Sequence, residues 1–406
     1  MSANPALSTT ARSIGASVTL QLNSAAARMR AEGEPVIHLG GGEPKSLAPP
    51  EALQAGIDLL NTGAVRYTPA SGTPELKDAI IAYTEKFYGR KIGRTNVMVS
   101  AGAKQAIMMA LMALVDPGDE VVFPVPYWVS YPEMARIAGG VPVPVPLEKG
   151  AYQPTLAAME AALTDRTRVV MLNSPSNPSG MILSRAFLTG VISLCQDRGI
   201  AVLMDDIYHR LVFDGKQVPH CYECTDKAVD DAGILVLNGV SKQYAMTGFR
   251  VGWAVGPQEI IKAMSNIQSH LSGGPSTVSQ NASVAALTGD QSAVDDLLME
   301  LEERRNETAD LLAGIPGVEL LEPDGTFYCF ADFSAFDEDS SRLSKRFLEK
   351  IRVVTVPGIE FGMEGYQRIS FCGDMDDVHE GVRRIRWLLN DNGSLELKAG
   401  DRVFSR

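Results

Sequence analysis

The residues best placed to do chemistry lie between Leu235 and Val255, where the apolar runs Leu235-Val236-Leu237 and Val251-Gly252-Trp253-Ala254-Val255 flank Lys242, Arg250 and several small side chains. A buried strand that opens into small residues lets the backbone approach a ligand closely, and Lys242 stands at that approach. Desolvated there, a lysine amine loses proton affinity and can attack a carbonyl to form a Schiff base. The same residues also suit a plainer arrangement, with Lys242 snorkelling from a strand end and Arg250 pairing with a surface acid. The elements around them must decide between the two.

Those elements alternate. Short apolar runs at Val97–Ser100, Glu120–Phe123, Val141–Val145, Arg168–Leu172, Ala201–Met204, Ile234–Leu237 and Gly252–Val255 read as strands, with Pro142 and Pro144 weakening the third. Helical periodicity lies at Pro50–Leu60, Pro74–Tyr88, Lys104–Leu114, Tyr131–Ala138, Leu156–Ala162, Ser184–Asp197 and Pro257–Ser269. This alternation predicts an α/β layered domain with a mostly parallel seven-stranded sheet. After Gly289 a long charged helix, Gln291–Leu312, introduces smaller strands at Val318–Leu321, Phe327–Asp332, Val353–Val356 and Arg368–Phe371. Helices at Ser340–Ile351 and Asp376–Leu389 separate them, which suggests a smaller α+β domain. The division expected is an N-terminal arm over 1–16, a small domain from 17–47 and 290–390, a large domain over 48–289, and a frayed polar tail over 391–406.

In an open α/β sheet, ligands gather at the carboxyl ends of the strands, and several strand ends here carry polar groups. Val97–Ser100 runs into Ala101-Gly102-Ala103 at a helix start, where free N–H groups and the helix dipole suit a phosphate. Arg168–Leu172 runs into Asn173-Ser174-Pro175-Ser176-Asn177-Pro178-Ser179-Gly180, a proline-stiffened loop able to hold Asn177 as a rigid donor and open to cis prolines. Ala201–Met204 ends at Asp205, with Asp206, Ile207 and Tyr208 after it. An acid at a buried strand end requires a cation or donor, and a protonated pyridine nitrogen would serve, with the Tyr208 hydroxyl nearby; capping of the next helix is the simpler role. Trp128, after Phe123, can stack on a planar ligand or simply pack in the core.

Taken together, these segments resemble class I aminotransferases of fold type I. The match runs in order through Gly42-Glu43-Pro44, Tyr67-Thr68-Pro69, Gly102-Ala103-Lys104-Gln105-Ala106, Pro126–Pro132, Asn173–Gly180, Asp205–Tyr208, Ser241–Arg250 and Arg368-Ile369-Ser370-Phe371, covering Ser17 to Leu389. The Gly239-to-Gly252 stretch is its most specific part. The resemblance implies pyridoxal 5′-phosphate as cofactor, held covalently by Lys242, which also serves as the base of the proton shift. It implies Asp205 at the pyridinium nitrogen, Tyr208 and Asn177 at the 3-oxygen, and Trp128 on the ring. Arg250 with the N–H groups of Ala103 and Lys104 would hold the phosphate, and Arg368, helped by the Gly42 backbone, the substrate α-carboxylate. Tyr67 would reach the phosphate of a neighbouring subunit, which implies a homodimer with shared sites. Gly239 departs from the family, which often has a phosphate-touching serine there; Ser241 is present instead.

Within the family the nearest likeness is to bacterial aspartate aminotransferases. In that branch the residue at Lys104 can bind a distal carboxylate, and Ser17 and Thr19 match a Ser-x-Thr lining the same pocket. The resemblance therefore implies transfer between aspartate or glutamate and 2-oxoglutarate or oxaloacetate in a ping-pong cycle. Some branch members also use prephenate, and Lys45-Ser46-Leu47-Ala48 replaces the usual Asp-Phe-Asp-Thr near the pocket mouth. Prephenate, aromatic or other donors are thus the alternative, and a carbon–sulfur lyase of the same fold a further one. A non-catalytic sensor module of a regulator would need a DNA-binding domain, for which the short segment ahead of the core leaves no room.

A hydrophobic content of 45% and a charged content of 21% are ordinary for a soluble globular protein. Acidic residues outnumber basic ones 49 to 37 in 406 residues, giving a net charge of -12 that argues against nucleic acid or an anionic membrane as partner. No long uncharged apolar stretch or secretory leader is evident, so a cytoplasmic protein is expected. The five cysteines form no disulfide framework. Cys221-x-x-Cys224 beside His220 has no second pair near it, so no metal site is expected.

Overall fold

The computed structural model describes residues 6–15, 18–148, 150–390, 394–399 and 402–405. Its centre is a seven-stranded sheet. In spatial order the strands are Val97–Ser100, Gly252–Val255, Ile234–Gly239, Ala201–Asp205, Thr167–Asn173, Glu120–Pro124 and Val141–Val145. Only Gly252–Val255 runs antiparallel to its neighbours. The three strands Ala201–Asp205, Ile234–Gly239 and Gly252–Val255 are buried along their whole length because helices cover both faces, and this explains their unbroken apolar runs. Val141–Val145 takes the edge, where its two prolines interrupt no inner ladder.

The helix Thr277–Thr288 was not legible in the pattern of apolar residues. Its sequence TVSQNASVAALT has no apolar stripe, yet Gln280, Ala282 and Ser283 are buried. It packs on helix Pro50–Thr62, where Gly56 leaves room for Val278 and Ala282.

A second core surrounds a four-stranded sheet of Val356–Pro357, Tyr366–Ser370, Tyr328–Asp332 and Glu319–Leu320. The short strand Ile37–His38 joins this region by pairing in parallel with Val353–Val354, while Leu211 and Phe213 reach into the same core from the chain after Asp205. Two terminal expectations need correction. The arm contains a short helix, Thr9–Ser13, capped by the Ser8 hydroxyl. The tail is not frayed throughout, since Glu396–Ala399 and Arg402–Ser405 pair as an antiparallel hairpin. Period-two alternation puts Leu397, Ala399 and Phe404 on one face against Trp387, and Arg402 forms an ion pair with Glu34. Among the described residues no helix is long and apolar enough to cross a membrane.

Candidate active site

The carboxyl ends of the central strands open into a cavity of about 410 Å³. Gly42, Ala103, Lys104, Trp128, Asn177, Asp205, Tyr208, Lys242, Arg250 and Arg368 all line it. Residues up to 326 positions apart thus meet in one place, since Gly42 and Arg368 share its wall (368 minus 42). Tyr67 is the exception. It is fully exposed and stands outside its own chain's cavity, on a segment tied down by the Thr277 hydroxyl donating to the Arg66 carbonyl. Ser17 lies outside the described residues, and Thr19 is described only as part of the helix Val18–Ala31.

Lys242 follows the strand Ile234–Gly239 and donates from Nζ to the Gly42 carbonyl at 2.5 Å. Burial lowers its pKa from the ordinary 10.5 to about 8; Arg368 and Arg250 push the same way, while Cys372 and Glu43 oppose them. Asp205, ending its strand, is held up at about 6 chiefly by burial, with Asp206 adding to the rise. The Tyr131 hydroxyl donates to Asp205 Oδ2 at 2.8 Å and favours the ionised form. Behind it, Asp206 Oδ2 is 2.9 Å from His220 Nε2, and the His220 ring stacks on Tyr88 at 3.7 Å between centroids. The His220-Cys221-x-x-Cys224 run therefore has a packing role: Cys221 is buried and the pair spans a single 3-10 turn. No group of three or more candidate metal ligands occurs among the described residues.

One corner of the cavity sets backbone N–H groups beside an arginine, a combination suited to an anion. Helix Ala103–Leu114 starts at Gly102 without a side-chain cap, leaving its first N–H groups free. Gly102 has φ +89°, and a Cβ there would fall 2.6 Å from Arg250 Nη2, so only glycine admits the guanidinium. Arg250 is tethered by Nη1 to the Thr247 carbonyl at 2.8 Å, and Ser241 and Thr247 complete the corner. Gly239 has its own reason: a Cβ would lie 2.8 Å from the Val251 carbonyl oxygen and 3.1 Å from Gly252 Cα. The serine common elsewhere at this place does not fit between these strands, and Ser241 supplies a hydroxyl from the next turn.

On the opposite wall, Arg368 is buried. Its Nη1 donates to Asn177 Oδ1 at 2.9 Å and its Nη2 to the Gly40 carbonyl at 3.1 Å, while Nε has no partner. Its guanidinium lies 4.3 Å from the centroid of the Tyr328 ring, whose hydroxyl is 3.4 Å from that of Tyr208. Because Arg368 takes the Asn177 oxygen, the Asn177 NH₂ is left to donate. Lys104 sits with Nζ 4.7 Å from the Trp128 ring centroid and has no ion pair among the described residues. Burial and Arg250 lower its pKa.

Sequence reasoning missed Tyr131, Tyr328 and Asn173. Tyr131 lay inside a quoted motif, three residues after Trp128, but read as a helix-face residue. Asn173 stood at a strand end inside a matched segment, but its bonds to neighbouring backbone are invisible in the sequence, and nothing local to Tyr328 indicates that it meets the other site residues.

A planar ligand bearing a phosphate and an amine-reactive carbonyl fits this donor set. It would meet an amine of depressed pKa, a buried acid and an uncapped helix start beside an arginine. A fold and site of this kind define an amine-transferring enzyme, and the family comparison agrees. A sequence model of the family "Aminotransferase class I and II" matches residues 34–385. The aspartate aminotransferase of Streptomyces avermitilis is 39% identical over 93% of this chain and 95% of its own. The aspartate/prephenate aminotransferase of Nitrosomonas europaea is 38% identical over 95% of this chain and 100% of its own. The crystal structure of the aspartate aminotransferase from Rhizobium meliloti superposes with a TM-score of 0.90 at 36% identity, covering 94% of this chain and 98% of that one. The chain belongs to the class I and II aminotransferase family, with the type I fold, and is a transaminase.

Proposed function

We propose that the chain binds pyridoxal 5′-phosphate and transfers the amino group of aspartate or glutamate to 2-oxoglutarate or oxaloacetate by a ping-pong mechanism. One observation carries the choice of a dicarboxylic substrate. The cavity holds two separate cations with capacity to spare, Arg368 with its buried unpartnered Nε and Lys104 with no ion pair among the described residues. A buried guanidinium nitrogen without a partner is unfavourable, and an α-carboxylate would satisfy it. Lys104 is then available for the distal carboxylate.

When bound, the cofactor supplies an aldehyde carbon for amine exchange and a ring that draws electrons away from the substrate Cα. Lys242 Nζ, neutral in a useful fraction near pH 8, binds the cofactor and moves the proton at Cα. Asp205, oriented by Tyr131, holds a proton at the ring nitrogen; the cation formed there would draw its pKa below about 6. Tyr208 and the Asn177 NH₂ would donate to the ring oxygen and Trp128 would cover the ring, while Arg250, Ser241 and the N–H groups of Ala103 and Lys104, all lining the cavity, would hold the phosphate.

The reading includes a homodimer. Leu53, Ile57 and Leu60 form an exposed stripe at helical spacing on Pro50–Thr62, beside exposed Val65 and Tyr67. A second copy covering this face would let Tyr67 add its hydroxyl to the neighbouring phosphate corner. It also includes two domains, a large one over 48–289 and a small one from 17–47 and 290–390, in the cytoplasm.

The name of the Nitrosomonas relative favours prephenate as a second substrate. An amino-donor panel against 2-oxoglutarate tests the assignment. Aspartate and glutamate should lead, equal rates with aromatic donors would overturn it, and pyruvate with ammonia formed without an acceptor would replace it by a lyase. Lys104→Ala should weaken aspartate much more than alanine or phenylalanine.

A further inference from the structure

Asn173 ends the strand Thr167–Asn173 in register with Asp205 on the next strand. Its Nδ2 donates to the Asp205 carbonyl oxygen at 2.7 Å, and its Oδ1 accepts from the Asn177 backbone N–H at 2.8 Å. Asn177 in turn accepts from Arg368 Nη1 through its own side-chain oxygen. A single amide plane thus joins the strand end carrying the buried acid to the loop that orients the buried guanidinium. Both polar atoms of the Asn173 amide are engaged within the protein, so it lines the cavity by holding its neighbours in place.

We propose that Asn173 is a positioning residue that sets Asp205 and the Asn177–Arg368 pair in one frame, so that cofactor and substrate carboxylate are held in mutual register. The proposal rests on the roles given to Asp205 and Arg368 above. Asparagine suits the task because it presents one donor and one acceptor at fixed separation on a short side chain. Aspartate has the same shape but no donor: it keeps an acceptor for the Asn177 N–H and loses the bond to the Asp205 carbonyl, placing a negative charge against that oxygen. Alanine loses both bonds.

The isosteric variant separates the two arms. The test uses the holoenzyme, with two binding constants as readouts that require no turnover: cofactor affinity, and affinity for the non-reacting dicarboxylate maleate followed by cofactor absorbance. Asn173→Ala should weaken both roughly tenfold. Asn173→Asp should weaken cofactor roughly tenfold or more while leaving maleate within about threefold of the parent. A merely structural role would move both constants together in Asn173→Asp, and that result, or unchanged constants in Asn173→Ala, overturns the proposal. Arg368→Gln is the control for the underlying reading. If it leaves maleate binding intact, the clamp assignment has failed; if it weakens maleate and the Asn173 variants behave like the parent, only the bridge has failed.

Discussion

The depressed proton affinity of Lys242 has a direct chemical consequence in the cofactor-free protein. With a pKa near 8 in place of 10.5, about a quarter of the amine is neutral at pH 7.5, against about one part in a thousand for an ordinary lysine. That is roughly a 200-fold advantage in reactive amine. Labelling by a small neutral acylating agent across a pH series, read at Lys242 by peptide mass spectrometry, should show a midpoint near 8; an N-acetyl-lysine amide control should titrate near 10.5. Arg368→Gln should move the midpoint upward, because Arg368 disfavours the ammonium form, but by less than burial moves it down. The same shift enters stability. The folded protein binds fewer protons than the unfolded chain between about 8 and 10.5, so this group's contribution to stability rises with pH across that window. Below pH 8 the charged amine opposes folding by roughly 3 kcal/mol at most, with solvent in the cavity screening part of it. Lys242→Met should therefore raise the melting temperature of the cofactor-free protein at pH 7 and flatten its rise above pH 8. A Lys242 midpoint near 10, with an unchanged pH profile in the methionine variant, would refute the reasoning.

Tyr131→Phe removes a hydrogen bond to a buried carboxylate worth about 1.5–3 kcal/mol, so Asp205 should titrate higher and cofactor should bind roughly 10- to 100-fold more weakly by fluorescence titration; unchanged affinity contradicts the role of Tyr131. Gly239→Ser forces a side chain against the Val251 carbonyl and Gly252, so thermal unfolding should show a loss of about 1–3 kcal/mol, and a variant of parental stability would show that the strands yield easily. If the chain works as the proposed homodimer, Ile57→Asp, at a position 49% exposed in one chain, should yield a monomer in light scattering and abolish activity; an active monomer rejects the shared site. Phe404→Ala opens the hydrophobic face of the terminal hairpin, so limited proteolysis should cut within residues 394–405 while activity persists, whereas a protected tail would mean other contacts hold it.

The site was readable to the extent that each strand end carries its own chemistry. Asp205 announces itself because an acid closing a buried apolar run needs a reason to be there, Asn177 because prolines stiffen the loop that carries it, and Lys242 because small residues surround it just past a buried strand. The sheet was readable too, since strands covered on both faces show unbroken apolar runs. The reading failed where the deciding neighbour is remote. Helix Thr277–Thr288 carries no apolar stripe and is buried because Pro50–Thr62 and Pro74–Tyr88 lie against it and the Thr68–Thr73 segment takes the Gln280 amide. The terminal hairpin depends on Trp387 and Glu34, so its own residues looked like a tail.

The sequence by itself determined the fold class, because alternation of apolar runs is a local pattern; that pattern left Lys242 open between a reactive amine and a snorkelling side chain, and the family resemblance pointed to the nucleophile and the phosphate-bearing ligand. Tertiary structure brings Gly42, Arg368 and Lys242, which local pattern leaves unconnected and only the family resemblance joined, into one cavity, and it alone shows that Tyr131 serves Asp205. It also decided that Asn173 bridges two strand ends, and it leaves Tyr67 fully exposed and outside its own chain's cavity. Proximity across hundreds of residues is set by how strands order in the sheet and how the second core closes over them, and burial, which moves the pKa values of Lys242 and Asp205, exists only once that closure is made.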